Sequence, residues 1–448
     1  MPVFVHVALI VRIYFKPFFC RIIRISSAMS SSLRLFPVNP IRHTQLAGMM
    51  FLQFFVLGCT IPIMSLYMKD HLHFSGLQIG IVLSLSAIAS FFAPLLSSVI
   101  ADRIIAAERL LSLLHLAGAV LMLILIQQAA YIPFLIFFVL YMVILSPTGA
   151  LTNTISFHHL HDRNYYGDIR LWGTIGWISA AWGFSAISSL KIPLISSNLQ
   201  GALQLSVVSS VVLSLYALLL PCGIKMIPKT SISLVRDQLL LLINPRLFFK
   251  SLFTNSGFDV TLVLISVFTC FVLLVDRFYV IGAAPFVKSV GYAENDILSI
   301  LSIGQIPEIF LLLILSFILK KFGFKITMLA GIGLEIFRFV LFAVGTQDIL
   351  LFSGIAVHGI TWAFFFVPIT IYIDKQCQPN NRAAVQQLYT FVSSNGIIAG
   401  NFIAGFCLDF SKNANGAIVF STFWIVPLII SVVVFVLFAV FFKPRFRS

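Results

Sequence analysis

The residues of this chain most able to do chemistry are acids, guanidinium groups and rings set inside apolar runs of helical length. In Asn295–Leu319, NDILSILSIGQIPEIFLLLILSFIL, the residues Gln305, Pro307 and Glu308 interrupt a run long and apolar enough to cross a bilayer. An ionised carboxylate close to the midplane is costly unless it faces a partner or water. Glu308 is therefore expected to line a wet internal path, the plainer alternative being a paired Glu that serves assembly alone. Pro307 removes a backbone donor, which protein or a water-filled cavity tolerates and lipid does not.

A second group lies in Asp168-Ile-Arg-Leu-Trp-Gly-Thr-Ile-Gly-Trp177. On a helix Arg170, Thr174 and Trp177 share a face. A guanidinium, a hydroxyl and an indole in one stripe suit a hydroxyl-rich ligand with a ring to stack on. The alternative has Arg170 snorkelling to the surface and Trp177 in an aromatic belt. Further along, Asp276 and Arg277 are adjacent and point roughly 100° apart. They are not expected to pair with each other alone: Asp276 shares a face with Tyr279, and Arg277 needs a partner elsewhere. Glu335 and Arg338 sit at i, i+3 and should neutralise one another within one helix. His358 and Trp362 lie one turn apart and could line a cavity, although a packed, satisfied His is the commoner case; a proton relay is the other use. The amides Gln53, Asn153 and Asn395 read mainly as helix-to-helix hydrogen bonders. His158, His159 and His161 cluster in a loop without a carboxylate or Cys at ligand spacing, so no metal is expected. No glycine loop with a Lys cradles phosphate, so no nucleotide cofactor is implied.

The elements that must position these residues follow from composition. The 448 residues are 60% hydrophobic and 10% charged, with mean hydropathy +1.04, which excludes a soluble domain and a disordered chain. Continuous apolar runs rather than alternation exclude a β-barrel. The expected fold is an all-α membrane protein of twelve transmembrane helices. The spans run approximately 45–67, 76–101, 110–130, 132–157, 169–190 and 201–224, then 258–287, 296–319, 324–345, 349–373, 382–408 and 416–442. With the N-terminus in the cytoplasm, the only Lys or Arg on outer loops are Lys69, Lys191, Lys288 and Lys412; Arg277 and Arg338 stay within the membrane and the others fall inside. That asymmetry is the positive-inside rule. Both termini are thus expected in the cytoplasm, and the net charge of +14 is a topology signal rather than a sign of nucleic-acid binding.

Five parts are expected: a basic N-terminal tail (1–44), a six-helix bundle (45–224), a cytoplasmic amphipathic linker (225–257), a second six-helix bundle (258–442) and a basic C-terminal tail (443–448). Arg12, Lys16, Arg21 and Arg24 break up the tail, which reads either as a membrane-surface segment or as an untranslated extension with Met29 as the start. Cys20, Cys59, Cys222, Cys270, Cys377 and Cys407 lack disulfide or zinc spacing, so free thiols are expected. The glycine pairs Gly76–Gly80 and Gly396–Gly400 read as packing motifs.

The twelve-span plan with ADRIIAAER after the second span resembles the major facilitator superfamily. Over roughly 45–442 the chain resembles its nucleoside:proton symporter family, in FLQFFVLG, SVIADRI, LTNTISF, IRLWGTIGW, SIGQIPEI, FRFVLFAVG, HGITWAFFF, IYIDK and RAAVQQ…SSNG. The resemblance implies a tapering cavity between the halves and nucleoside uptake driven by protons. It places Arg170, Thr174 and Trp177 at sugar and base, matches Gln305 and Glu308 to the family's polar pair, and sets His358 and Trp362 nearby. Two positions depart from the pattern: Ala363 stands where the family usually has Asp, and Asp276 where it can have Gln.

The expectation is a secondary transporter and not an enzyme, multi-pass in the inner or plasma membrane and acting as a monomer. Asp276, Tyr279, Gln305, Glu308, His358 and Trp362 join the Arg170 stripe at the ligand, and Glu308 and Asp276 take the proton. The Arg170 stripe is also similar to one in oligosaccharide:proton symporters, so a sugar is the alternative substrate. An intramembrane enzyme is the distant alternative; it would cluster acids near one membrane face.

Overall fold

The computed structural model describes residues 40–103, 105–160, 166–190, 195–220, 260–376 and 382–444. The expected N-terminal tail up to residue 39, the linker 225–257 and His161 lie outside them. The described residues are helical, apart from an isolated bridge between Lys412 and Ile418. The first half contains α1 (Pro40–Thr60), a 3-10 turn (Ile61–Ile63), α2 (Met64–Asp70), α3 (Gly76–Arg103), α4 (Ala107–Leu125), α5 (Tyr131–His159), α6 (Tyr166–Leu190) and α7 (Leu199–Leu218). The second half contains α8 (Val260–Ser289), α9 (Glu294–Ser302), α10 (Gln305–Val344), α11 (Asp348–Thr361), a π segment (Trp362–Phe366), α12 (Val367–Gln376), α13 (Arg382–Phe410) and α14 (Phe420–Phe441). Nine segments among the described residues are long and apolar enough to cross a membrane, and the chain is a multi-pass membrane protein.

Two breaks shape the region around Glu308. Between α9 and α10 the chain tightens into i→i+3 bonds, Ile303 to Ile300 and Gly304 to Leu301. Pro307 therefore falls in the first turn of α10, where its missing N–H costs nothing. The span boundary expected near residue 320 appears as a break inside α10 at Gly323, whose φ of 74° suits glycine.

Apolar burial is arranged unevenly. One core joins the two halves, with Val56, Tyr67, Phe138 and Leu203 from the first and Leu274, Phe286, Leu301 and Trp424 from the second. Two other cores stay within a half: Met49, Leu110, Ile155 and Leu213 in the first, and Ile265, Met328, Phe365 and Phe438 in the second. Among the described residues the halves thus share a core at one end and keep separate cores at the other. At the fused end Ser75 and Gln78 form a reciprocal capping box at the start of α3, with Gln78 N–H donating to Ser75 Oγ (3.1 Å) and Ser75 N–H to Gln78 Oε1 (2.9 Å). Asp409 of α13 accepts from the N–H groups of Gly76 (2.9 Å) and Leu77 (2.7 Å), so a carboxylate from one half caps a helix of the other. The two helices cross at glycines: a Cβ on Gly405 would stand 2.3 Å from Gly76 O, and one on Gly80 would stand 2.6 Å from Asn401 O. The pair Gly396–Gly400 packs likewise against Cys270 and Leu274 of α8.

Filling the α3–α13 crossing should open the fused end. With the native cysteines replaced, Gly405→Val overpacks the contact by about 1–3 kcal/mol. A cysteine at Ser84, which now donates to Ile398 O at 2.9 Å, should then react faster with a water-soluble maleimide. An unchanged rate would mean that this crossing does not hold the end shut.

Candidate functional site

The residues singled out by sequence fall into two neighbouring groups. In the first, Arg170 lies over the Phe54 ring (4.0 Å to the centroid) and alongside Gly173, one turn further into α6. Its guanidinium and the Glu308 carboxylate, from opposite halves of the chain, are close enough to feel each other's charge. Glu308 is half-buried, as are Thr174, Trp177, Gln305 and Trp362. Trp362 packs on Phe366, with centroids 4.5 Å apart, in the π segment.

The second group is a buried charge cluster built by α8, α10 and α11. Asp276 is 2% exposed, Glu335 1% and Arg338 0%. Arg338 donates to Glu335 Oε1 (2.7 Å) and to His358 Nδ1 (2.7 Å), and its guanidinium lies 4.7 Å above the Tyr279 ring. His358 stacks on Tyr279 at 4.2 Å, and its Nδ1 is 3.7 Å from Asp276 Oδ1. Contrary to the sequence expectation, Arg277 pairs with its neighbour Asp276. Its long side chain folds back across the 100° that separates the two Cβ directions. The i, i+3 pair of Glu335 and Arg338 forms as expected. With His358 neutral, two carboxylates face two guanidiniums and the cluster carries no net charge.

The two groups touch where Gly359 meets Gly304. A Cβ on Gly359 would stand 1.9 Å from Gly304 O and 3.0 Å from Glu308 Cβ. The absent side chain brings α11 against the break before α10, so His358 and Glu308 lie on adjoining faces.

Two of the three amides join helices as read, and Asn395 does not. Gln53 donates to Thr148 (2.8 Å) and pairs with His115 Nε2 (2.8 Å), joining three helices. Asn153 accepts from Tyr166 (2.6 Å), while exposed Asn395 bonds its own helix at Phe391 O. Sequence reasoning missed the links between the halves near the fused end. Trp182 Nε1 donates to Ser302 (3.0 Å), Ser185 to Asp296 (3.0 Å) and Ser299 to Ala181 O (3.1 Å). Lys288 bonds both Asp70 and Glu294, and His71 approaches Glu294 at 3.3 Å. The Asp and Lys at span ends were visible signals; their partners were not. A separate groove of about 380 Å³ between α4 and α7, lined by Arg109, Ser112 and Leu215, lies away from both groups. Among the described residues Cys59, Cys270 and Cys407 are free thiols.

An all-helical chain crossing the membrane repeatedly, fused at one end and divided at the other, with balanced charges inside, has the build of a secondary carrier. Residues 42–447 match the family model described as "Nucleoside H+ symporter". The chain is 30% identical over 407 residues to the xanthosine permease of Escherichia coli (85% of this chain, 91% of that one). It is 29% identical over 419 residues to the nucleoside permease NupG of the same organism (90% and 96%). The crystal structure of nucleoside transporter NupG superposes with a TM-score of 0.76 at 26% identity, covering 90% of this chain and 99% of that one. The chain belongs to the nucleoside H+ symporter family.

The charge balance of the cluster makes an ordering testable. Arg338→Met leaves Glu335 uncompensated and should cost about 3–5 kcal/mol. The double variant Glu335→Leu/Arg338→Met keeps the remaining charges matched and should unfold at a higher temperature than the single one in detergent. The reverse order would show that the pair is not a closed neutral unit.

Proposed function

We propose that this protein imports nucleosides together with protons by alternating access, as a monomer in the plasma membrane, or the inner one where there are two. The single observation that supports this is the core that joins the halves at one end while separate cores stay within each half, with the opposed charges of Arg170 and Glu308, one from each half, near enough to act on each other. In this reading twelve spans form two six-helix bundles, 45–224 and 258–442, bridged by a linker (225–257) on the inner surface, with both termini cytoplasmic. The charge asymmetry of the loops then puts the fused end outside and makes the present conformation inward-open.

Arg170, Thr174 and Trp177 meet the sugar and base from α6. Gln305, Glu308, His358 and Trp362 meet them from the other half, with Asp276 and Tyr279 behind His358. Glu308 and Asp276 are the acids that answer to the proton. A carboxylate crosses the occluded state at lower cost when protonated, and protonation of Glu308 also releases Arg170 to the ligand hydroxyls. Ligand and proton each favour the conformer in which both are bound, which couples them through differential affinity.

In proteoliposomes an inward proton gradient should drive labelled uridine or adenosine above equilibrium, and lactose should not compete. Glu308→Gln should abolish accumulation while leaving nucleoside exchange. Full gradient-driven uptake by that variant would remove Glu308 from the coupling, and competition by lactose would favour the sugar alternative.

A further inference from the structure

The second charge cluster holds more than counter-ions. Arginine has only donors, so the 2.7 Å contact between Arg338 Nη1 and His358 Nδ1 requires a bare lone pair on Nδ1. The imidazole is therefore neutral here, with its proton on Nε2. On the other side of Nδ1, at 3.7 Å, is Asp276 Oδ1, slightly beyond hydrogen-bond reach. One nitrogen thus stands between a donor it now accepts from and a carboxylate it could donate to.

We propose that His358 is a proton-binding residue of this transporter, its Nδ1 exchanging Arg338 for Asp276 when it takes up the proton. This rests on the transport reading above and gives Asp276 its role, as counter-ion to an imidazolium rather than as the acid that is itself protonated. The step balances simply. A proton from water in the path binds the Nδ1 lone pair, the Arg338 Nη1–H···Nδ1 bond breaks, and an Nδ1–H···Oδ1 bond to Asp276 forms. No other bond changes, and the cluster goes from neutral to a net charge of +1.

The surroundings are built for that exchange. From α8 the imidazole faces Asp276, Arg277 and the stacked ring of Tyr279; from the second limb of α10 it faces Glu335 and Arg338; beyond Gly359 is Glu308 on the first limb. Tyr279 confines the ring to its plane, so a small in-plane movement changes partner without a new rotamer. Arg338 keeps Glu335 when His358 leaves, and its Nε is buried without a partner, as is the Nε of Arg277. Both guanidiniums therefore have a donor to spare for the rearrangement. Of the groups that could take up a proton, the imidazole is the most accessible: 13% of its side chain is exposed, against 3% for Asp276 and 2% for Glu335.

The test is the pH dependence of nucleoside exchange in proteoliposomes at equal pH on both sides, which needs no gradient. In the native protein and in Glu308→Gln the exchange rate should show a titrating step. In His358→Gln, whose amide oxygen still accepts from Arg338, whatever exchange remains should lose that step, and accumulation under a gradient should be lost. Asp276→Asn keeps the imidazole but removes its counter-ion, so the midpoint should move to more acidic pH; this variant decides the matter if His358→Gln does not fold. A titrating step unchanged in His358→Gln, or an unmoved midpoint in Asp276→Asn, overturns the proposal. Failure of the transport reading looks different, because the native protein itself would then show no proton-dependent nucleoside uptake.

Discussion

Everything in the second half of the chain is arranged around the cost of holding charge away from water. Asp276, Glu335 and Arg338 are buried, and Arg277 half-buried, among apolar helices that offer little solvation, and each is tolerable because its charge is cancelled at contact distance. Each cancelling pair lies within one helix, Asp276 with Arg277 on α8 and Glu335 with Arg338 on α10, and His358 of α11 links the two pairs through its contact with Arg338 and its place beside Asp276. A hydrophobic cluster of the same size would bind these helices as well, but it would be indifferent to protons. A charged one makes helix positions depend on protonation state, which is what the proposed coupling would use.

The glycines set the other constraint. At the α3–α13 crossing the backbones of the two halves meet without intervening side chains, and Asp409 closes the contact by capping a helix to which it does not belong. Such a contact is close-packed: backbone meets backbone, and two N–H groups of one half give their hydrogen bonds to a carboxylate of the other. It lies beside the apolar core that joins the halves, which holds Leu408, Phe286 and Trp424. Separate cores within a half add their own aromatic packing, such as Phe268 on Phe438 and Phe365 on Phe366. A crossing with no intervening side chains has no soft layer to deform, so it forms or parts as a unit.

Much of this was legible along the chain because membrane helices announce themselves locally. Apolar runs gave the spans, GxxxG spacing gave the crossings, and the i, i+3 spacing of Glu335 and Arg338 gave their ion pair, since a helix places those positions side by side. Partners on other helices were not legible. Nothing in one sequence says that His358 meets Arg338, that His115 meets Gln53, or that Asp409 caps α3, because the distances that matter are set by helix register. Asp276 and Arg277 show a subtler failure: Cβ direction predicted divergence, but Arg carries enough rotatable bonds to turn back to its neighbour. The π segment at Trp362 and the tight turn at Gly304 were equally hidden, since each is a tertiary adjustment of a sequence that reads as plain helix.

The meeting of Gly304 and Gly359 joins the two ionic systems into one site. Were either residue larger, α11 would stand off from the break before α10, and the face bearing Glu308 would be separated from the face bearing His358 by a layer of side chain. With both small, a change at one face moves the backbone that supports the other. Glu308 answers to Arg170 across the divide between the halves, whereas His358 answers to Arg338 and Asp276 within one half. On the proposed function, a proton taken up at the second system would shift the helix that presents the first, and a ligand engaging Arg170 would act back on that helix. Reciprocity of this kind follows from any shared support whose position both sites bias, and the contact of Gly304 with Gly359 is such a support.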